Sequence, residues 1–358
     1  MVSPMATPAA EVDAGGIAVR VTSPDRVIYE PTDRTPEITK LQVVEYYLAV
    51  ADGVMRALQD RPVALERWPK GVHEGIRLST GYGDKADAFY QKRVMKGAPS
   101  YVDTARVTFP SGRDAEEVCV TRIATVAWCA QMGALTFHPW PTRRGDNDHP
   151  DELRIDLDPQ PGTGFADAVR VAGVARELLA DLGITGYVKT SGHRGVHIYV
   201  RVEPRWDFVD VRHAAIAFGR ELEKRDHGVT TNWWKEERGE RIFVDFNQNS
   251  RDRTIASAWS LRPLPGAPVS TPVTWDELAT IGDPAELNIV TVPGRDDPWA
   301  GIDDVQHSLQ PLLDLWEEHP VELNYPPDYP KMPGEPPRVQ PSKKVAEHWD
   351  EHGQRIAP

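Results

Sequence analysis

Two aspartates set one residue apart, Asp156 and Asp158, are the first residues in this chain whose spacing suggests chemistry. Leu153, Ile155 and Leu157 alternate with Arg154, Asp156 and Asp158, the period-2 pattern of a strand with one buried face. Both carboxylates then project to the same side, roughly 7 Å apart along the strand. So placed they repel each other unless the face is wet or a cation lies between them. Pro159 and Pro161 end the strand, which puts the pair at its mouth. A divalent metal site is one reading. A solvated strand face before a turn is the other, and an Asp-x-Asp is common by chance.

Three further groups bear on that choice. Asp245 falls in a predicted strand over 241–246, facing away from Ile242 and Val244, with Asn247 and Asn249 following. A third carboxylate on a neighbouring strand would complete the oxygen set that two Mg2+ or Mn2+ ions need, whereas an exposed strand Asp needs no ion. In the run from Lys189 to Gly195, Gly192 and Gly195 let backbone N–H groups approach an anion. Ser191, His193 and Arg194 can donate to phosphate oxygens. The same run suits a tight hairpin turn, and it lacks the Gly-Lys-Ser/Thr end of a Walker A loop. Arg251, Arg253 and Arg262, with Ser257 and Ser260 among them, suit bidentate phosphate contacts or surface ion pairs. His138, at a strand end before Pro139 and Trp140, could touch a phosphate or sugar; His197, inside a strand, reads as a core histidine.

The elements that must position these groups follow from pattern. Thr39 and Gln42 have capping-box spacing and open a helix over 39–58, with Leu41, Val44, Tyr47, Leu48 and Val54 on its buried face. Strands are predicted at 19–21, 61–68, 89–94, 118–120 and 135–137, with a Gly-rich loop through Gly71, Gly75, Gly81 and Gly83. Helices are predicted at 123–132, 165–182 (stopped by Gly183), 208–224, 274–278 and 309–316. The segments 187–190 and 196–200 form a hairpin. Residues 1–15 are Pro/Ala-rich and expected to be disordered. From Pro320 onward prolines crowd the chain, which predicts an extended wrap or tail. Strands and helices mix without regular βαβ alternation, so a mixed sheet with packed helices is expected.

Composition narrows the class. At 358 residues the chain can hold one large domain or two. No apolar run approaches the ~20 residues of a membrane span, and the N-terminus has no export signal, so a cytoplasmic protein with no membrane partner is expected. Cys119 and Cys129 are the only cysteines, too few for a disulfide framework or a four-cysteine zinc site. A net charge of −13 argues, taken alone, against nucleic acid. Binding depends on a local basic face, however, and the acidic excess falls partly late, at Asp303, Asp304, Asp314, Glu317, Glu318 and Glu322, while Lys92, Arg93, Lys96, Arg143 and Arg144 cluster elsewhere.

Taken together, Leu135–Trp140 with the loop after it, Asp156-Leu-Asp158, Lys189–Tyr199 and Val244–Asn249 resemble the polymerase domain of bacterial ligase D, in the archaeo-eukaryotic primase superfamily. The resemblance runs over about 18–301, with the motifs in the same order. It implies an α+β primase-polymerase fold with an RRM-like antiparallel catalytic sheet flanked by helices and an N-terminal subdomain. It also implies a DNA-dependent polymerase, often preferring ribonucleotides, that extends a primer 3′-OH in gap filling or non-homologous end joining with two Mn2+ or Mg2+ ions per site. Carried over by position, Asp156, Asp158 and Asp245 match the metal-binding carboxylates. Ser191, Arg194 and Arg262 match contacts to the incoming triphosphate, Arg194 standing where relatives can carry Lys. His138 matches a histidine near the nucleotide sugar and phosphate. Phe89 and Tyr90 fall where aromatics stack on the template. Arg26 and Lys40 resemble two basic residues that hold a downstream 5′-phosphate, with a longer loop between them here.

The expected organisation is a disordered 1–15, a catalytic domain over 16–317 and a Pro-rich extension over 318–358. The DNA-end-binding part spans about 16–110 and the catalytic core about 115–300. DNA with gapped, primed or broken ends and nucleoside triphosphates are the expected partners, with a repair ligase or end-binding proteins beside them. A monomer is expected. No Lys-x-Asp-Gly nucleotidyl-transferase motif is present, so a stand-alone member is expected. Trp233-Trp234 and the run Glu236 to Glu240 have no mechanism assigned. The rival readings are a two-metal nuclease using the same carboxylates and a non-catalytic DNA-end-binding scaffold.

Overall fold

Backbone pairing begins earlier than the Pro/Ala-rich start suggests. In the computed structural model, which describes residues 8–79, 86–327 and 329–336, strand β1 (Ala9–Asp13) pairs antiparallel with β2 (Ala18–Thr22). The disorder expected across residues 1–15 therefore does not hold for residues 9–15. Gly15 and Gly16 take positive φ in the connecting turn, and the pairing rests on main-chain bonds with Val19 and Val21 buried from the β2 side. Next come β3 (Val27–Tyr29), β4 (Ile38–Thr39), α1 (Lys40–Ala49) and α2 (Ala51–Leu58). The Thr39–Gln42 capping box forms as read, and the expected single helix is broken at Val50. Val44, Tyr47 and Val54 are buried, while Leu41 and Leu48 are half-buried.

Strands β5 (Arg61–Arg67), β6 (Phe89–Gln91), β7 (Asp103–Thr108), β8 (Asp114–Val120) and β9 (Ala134–Pro139) form one antiparallel sheet ordered β6-β5-β8-β7, with β9 also on β5. Helix α3 (Ile123–Gln131) precedes β9 and packs on α1. Of the expected Gly-rich loop, Gly81 and Gly83 lie outside the described residues.

The second sheet carries the paired aspartates. Its strands are β10 (Glu152–Pro159), β11 (Tyr187–Thr190), β12 (Val196–Arg201), β13 (Val229–Thr230), β14 (Ile242–Val244) and β15 (Pro272–Val273), in the order β13-β14-β10-β12-β11-β15. All neighbours are antiparallel except β13 and β14. Helices α4 (Phe165–Asp181) and α5 (Phe208–Arg225) pack against β10. Short helices α6 (Lys235–Arg238) and α7 (Trp275–Leu278) and the longer α8 (Gln310–Glu318) complete the set, α8 lying on α5. Among the described residues no helix is long and apolar enough to cross a membrane.

A buried ionic cluster ties the two sheets at the root of β10. Arg61 reaches Asp151 at 2.6 Å and Glu152 at 2.9 Å, Arg154 meets Glu152 at 2.6 Å, and Arg201 also pairs with Glu152. Burial alone would raise the Glu152 carboxyl, but Arg61, Arg154 and Arg201 outweigh it and hold it at about 2. Removing one partner from such a set costs about 3–5 kcal/mol, because the charge left behind stays buried.

Glu117 is the contrary case. One carboxyl oxygen accepts from Trp140 Nε1 at 3.0 Å and the other has no hydrogen-bond partner. Burial, with Asp252 adding repulsion, pushes its carboxyl up to about 8. The folded state thus binds a proton that the unfolded state releases near its ordinary 4.5, so this group's contribution falls as pH rises between those values. Glu117→Gln is expected to raise the Tm by about 2 °C or more at pH 8.5 and by less at pH 5. Thermal unfolding at the two pH values checks it; an equal gap at both would contradict the assignment.

Candidate active site

Register places the carboxylates. Leu157 of β10 pairs with Val244 of β14, and Asp156 pairs with His197 of β12. Asp245 stands one residue past β14 rather than within the strand expected over 241–246, where it caps a 3-10 turn, Phe246–Asn249. The chain leaves the sheet there because the Asp245 side chain takes over local donors: Oδ1 accepts from the backbone N–H of Asn247 at 3.1 Å and Oδ2 from the side-chain Nε2 of Gln248 at 3.0 Å. Asp245 N still donates to the Asp156 carbonyl at 3.0 Å. Asn249 then clasps β10, accepting from Arg154 N at 2.9 Å and donating to Arg154 O at 2.7 Å.

The three carboxyls share one shortfall of positive charge. Burial and then Asp156 push Asp245 up to about 7. Burial pushes Asp156 up to about 6 even though Lys189 and Arg262 pull it down. Burial and Asp156 raise Asp158. Among the described residues no group of three or more His, Cys, Asp or Glu side chains is gathered tightly enough to form a ready metal cage. An all-oxygen donor set with unmatched negative charge nevertheless fits a hard divalent ion, since Mg2+ in particular keeps waters and takes substrate oxygens beside one or two carboxylates.

His197 is buried, as a core histidine would be, yet it also faces the site. Its Nε2 lies 3.3 Å from Asp156 Oδ1, and its Nδ1 lies 2.7 Å from Lys189 Nζ, which also donates to Ser270. Lysine offers no acceptor, so His197 Nδ1 accepts from Lys189 and the ring proton sits on Nε2, on the side of Asp156. Burial, with Lys189 beside it, holds His197 well below its ordinary value and therefore neutral. Arg238 was not singled out from sequence, although the run that carries it was. From α6 it donates to Gln160 Oε1 at 3.2 Å and to the Trp233 carbonyl at 2.8 Å. Its guanidinium lies 3.4 Å from the Phe243 ring centroid, and its charge lowers both Asp158 and Asp245.

Opposite stands a set of anion donors. Ser191 Oγ accepts from His193 N at 3.1 Å and Gly195 N at 3.0 Å, closing the loop into a compact turn. Gly192 has φ +72°, and a Cβ there would come 2.5 Å from Arg262 Cγ; one on Gly195 would come 2.9 Å from the Leu157 carbonyl. Both glycines therefore let the loop seat between Arg262 and β10. Arg194 is exposed and lowers Asp158, and the buried Arg262 Nε has no hydrogen-bond partner. A cleft of about 420 Å3 lies against Gly192, His193 and Arg194, and none of Asp156, Asp158 and Asp245 lines it.

The first sheet contributes the remaining expected residues. His138 Nε2 lies 3.1 Å from Glu66 Oε2, and the Tyr90 ring meets it edge to face at 5.3 Å. Burial keeps His138 below its ordinary value, while the charge of Arg262 reaches both His138 and Glu66. Tyr90 is 47% exposed, whereas Phe89 is half-buried beneath Arg67. Arg26 and Lys40 are neighbours in space: Lys40 N donates to the Arg26 carbonyl at 2.8 Å. Burial and then Arg26 lower the Lys40 ammonium to about 8, and among the described residues neither cation has an ion-pair partner.

A family model described as "LigD, primase-polymerase domain" matches residues 39–299. The chain is 32% identical over 267 residues to the "Multifunctional non-homologous end joining protein LigD" of Mycolicibacterium smegmatis, covering 73% of this chain and 32% of that protein. It is 28% identical over 295 residues to the protein of that name from Pseudomonas aeruginosa, covering 80% of this chain and 33% of the other. This chain thus spans about a third of the length of those relatives. Among solved structures, the "Polymerase Domain from Mycobacterium tuberculosis Ligase D in complex with DNA" matches with a TM-score of 0.69 and 27% identity, over 81% of this chain and 99% of that one.

The charge shortfall is measurable. Because Asp245 titrates near 7 when folded and near 3.8 when not, its cost to stability grows as pH rises through that interval and is complete above it. In metal-free protein Asp245→Asn is expected to raise the Tm at pH 8 more than at pH 5. Mn2+ should raise the Tm of the wild type by more than that of the variant. Differential scanning calorimetry with and without Mn2+ checks both; a variant stabilised by Mn2+ as strongly as the wild type would contradict the site.

Proposed function

This chain belongs to the LigD primase-polymerase domain family, a family of nucleotidyltransferases, and from that premise we propose that it is a DNA-dependent polymerase acting in non-homologous end joining and gap filling. The observation that carries the reading is the facing of three charge-deficient carboxyls, Asp156, Asp158 and Asp245, by the Ser191–Arg194 loop and Arg262. Asp156, Asp158 and Asp245 would together hold two Mn2+ or Mg2+ ions. Bound there, such ions supply acidification of a primer 3′-OH and neutralisation of charge on the α-phosphate.

The remaining steps belong to protein groups. His197, fixed by Lys189, orients Asp156. Ser191, Arg194 and the unpartnered Nε of Arg262 hold the β- and γ-phosphates and carry the negative charge that leaves as pyrophosphate. A triphosphate half of this kind is what a polymerase needs and a nuclease does not. Neutral His138 gives its Nε2 proton to Glu66, so its Nδ1 accepts from a hydroxyl of the nucleotide sugar. The exposed face of Tyr90 stacks on a template base. Arg26 and Lys40 take a downstream 5′-phosphate, which would return the Lys40 ammonium toward its ordinary value. Ribonucleotides are the favoured substrate, and the enzyme works as a cytoplasmic monomer beside a repair ligase.

The test is extension of gapped, primed and unprimed templates with ribo- and deoxyribonucleotides in Mg2+ or Mn2+. Asp156→Ala combined with Asp158→Ala is expected to abolish nucleotide addition while leaving DNA binding, read by fluorescence anisotropy, largely intact. Extension by that double variant would sink the assignment, and metal-dependent shortening of the primer would favour a nuclease.

A further inference from the structure

The Pro-rich segment after α8 lies beyond the residues matched to the family, and its described part ends up against the turn that bears Asp245. The connection runs through Asn247. Its backbone N–H binds the Asp245 carboxyl, its Oδ1 accepts from Arg212 Nε at 2.9 Å, and its Nδ2 donates to the Asn324 carbonyl at 3.0 Å. Arg212, on α5, has no exposed surface. Its charge is met by Glu322, its Nη2 donates to the carbonyls of Leu323 at 2.8 Å and Asn324 at 3.2 Å, and Tyr325 covers it with its ring centroid 3.7 Å away.

The segment is itself pinned at both ends. Arg220 donates to the His319 and Val321 carbonyls, and His213 holds the second oxygen of Glu322 at 2.8 Å. Farther on, Tyr329 donates to the Arg251 carbonyl, just past the turn. A buried guanidinium without its carboxylate would pull on any acceptor within reach, and Asn247 is the acceptor that touches Asp245.

We propose that residues 319–325 form a strap that positions Asp245: Glu322 and the Leu323 and Asn324 carbonyls fix Arg212 and Asn247, and these fix the carboxylate for its metal ion. The proposal rests on the reading of Asp245 as a metal-holding group. It makes Glu322, Arg212 and Asn247 positioning residues that touch neither metal nor substrate.

The test measures Mn2+ binding directly, by the electron paramagnetic resonance signal of free Mn2+, on the full chain with Glu322→Gln, Asn247→Ser and Asp245→Asn. Nucleotide addition is followed in parallel against Mn2+ concentration. Glu322→Gln is expected to weaken Mn2+ binding about tenfold, as loss of a group supporting a metal ligand does. It should raise the Mn2+ needed for half-maximal addition by a similar factor, with kcat recovering at saturating Mn2+ and KM for nucleotide unchanged. Asn247→Ser leaves the Arg212–Glu322 pair in place, so it gives the same shift even where Glu322→Gln does not fold. Wild-type Mn2+ affinity in folded Glu322→Gln or in Asn247→Ser, with Asp245→Asn impaired, overturns the strap and leaves the metal reading standing. A wild-type chain that binds no Mn2+ overturns both.

Discussion

Burial of three carboxyls, Asp156, Asp158 and Asp245, sharpened by the charge of Asp156 on the other two, is the constraint around which the rest of the molecule is arranged. At about 1.4 kcal/mol per pKa unit, raising Asp245 from 3.8 to about 7 corresponds to a cost on the order of 4 kcal/mol at neutral pH, against a whole-domain stability of about 5–15 kcal/mol. Arg238, Asn247 and Gln248 beside Asp245 offset only part of the burial penalty, and that cost is what remains. It is carried by the backbone pairing of β10 with β12 and β14, by the Asn249 clasp, and by the buried pairing of Arg61, Arg154 and Arg201 with Asp151 and Glu152. The strand is saturated with counter-charge at its root and short of it at its mouth. That gradient is what makes the mouth a place for a cation.

The same arrangement explains why the histidines near the site are neutral. His138 and His197 are both buried within the field of Arg262, and each is fixed by one hydrogen bond: to Glu66 for His138 and from Lys189 for His197, which also lies beside Asp156. Neutral imidazoles can donate without adding charge, so the positive potential stays with Arg194 and Arg262, where phosphates would lie. Charge on one side and its absence on the other divide the cleft into two halves of opposite preference.

Much of this was legible in residue pattern, and what was not shares a physical cause. Alternation gave β10 and its paired aspartates, capping chemistry gave the start of α1 at Thr39, and glycine placement gave the 191–195 turn. Each is a local signal. Asp245 was found as a residue but placed on a strand, because capping a 3-10 turn and completing a strand look alike over five residues. Lys189 and His197 face each other across the predicted hairpin, but their further neighbours Ser270 and Asp156, and Gln160 for Arg238, are far away in sequence, which no spacing rule reports. Strand β1 was hidden by its alanines, since main-chain pairing needs no particular side chain. Of the wrap or tail expected from Pro320 onward, the stretch through Tyr325 lies against α5 and the turn after Asp245, and its hold on Arg212 was invisible until those two came together.

The most direct test of this account is anomalous diffraction from crystals of the protein grown with Mn2+ and a non-hydrolysable nucleoside triphosphate. The account predicts manganese peaks between Asp156 and Asp158 and beside Asp245, with the β- and γ-phosphates against Ser191, Arg194 and Arg262. Manganese bound elsewhere, or a triphosphate seated away from that loop, would contradict it.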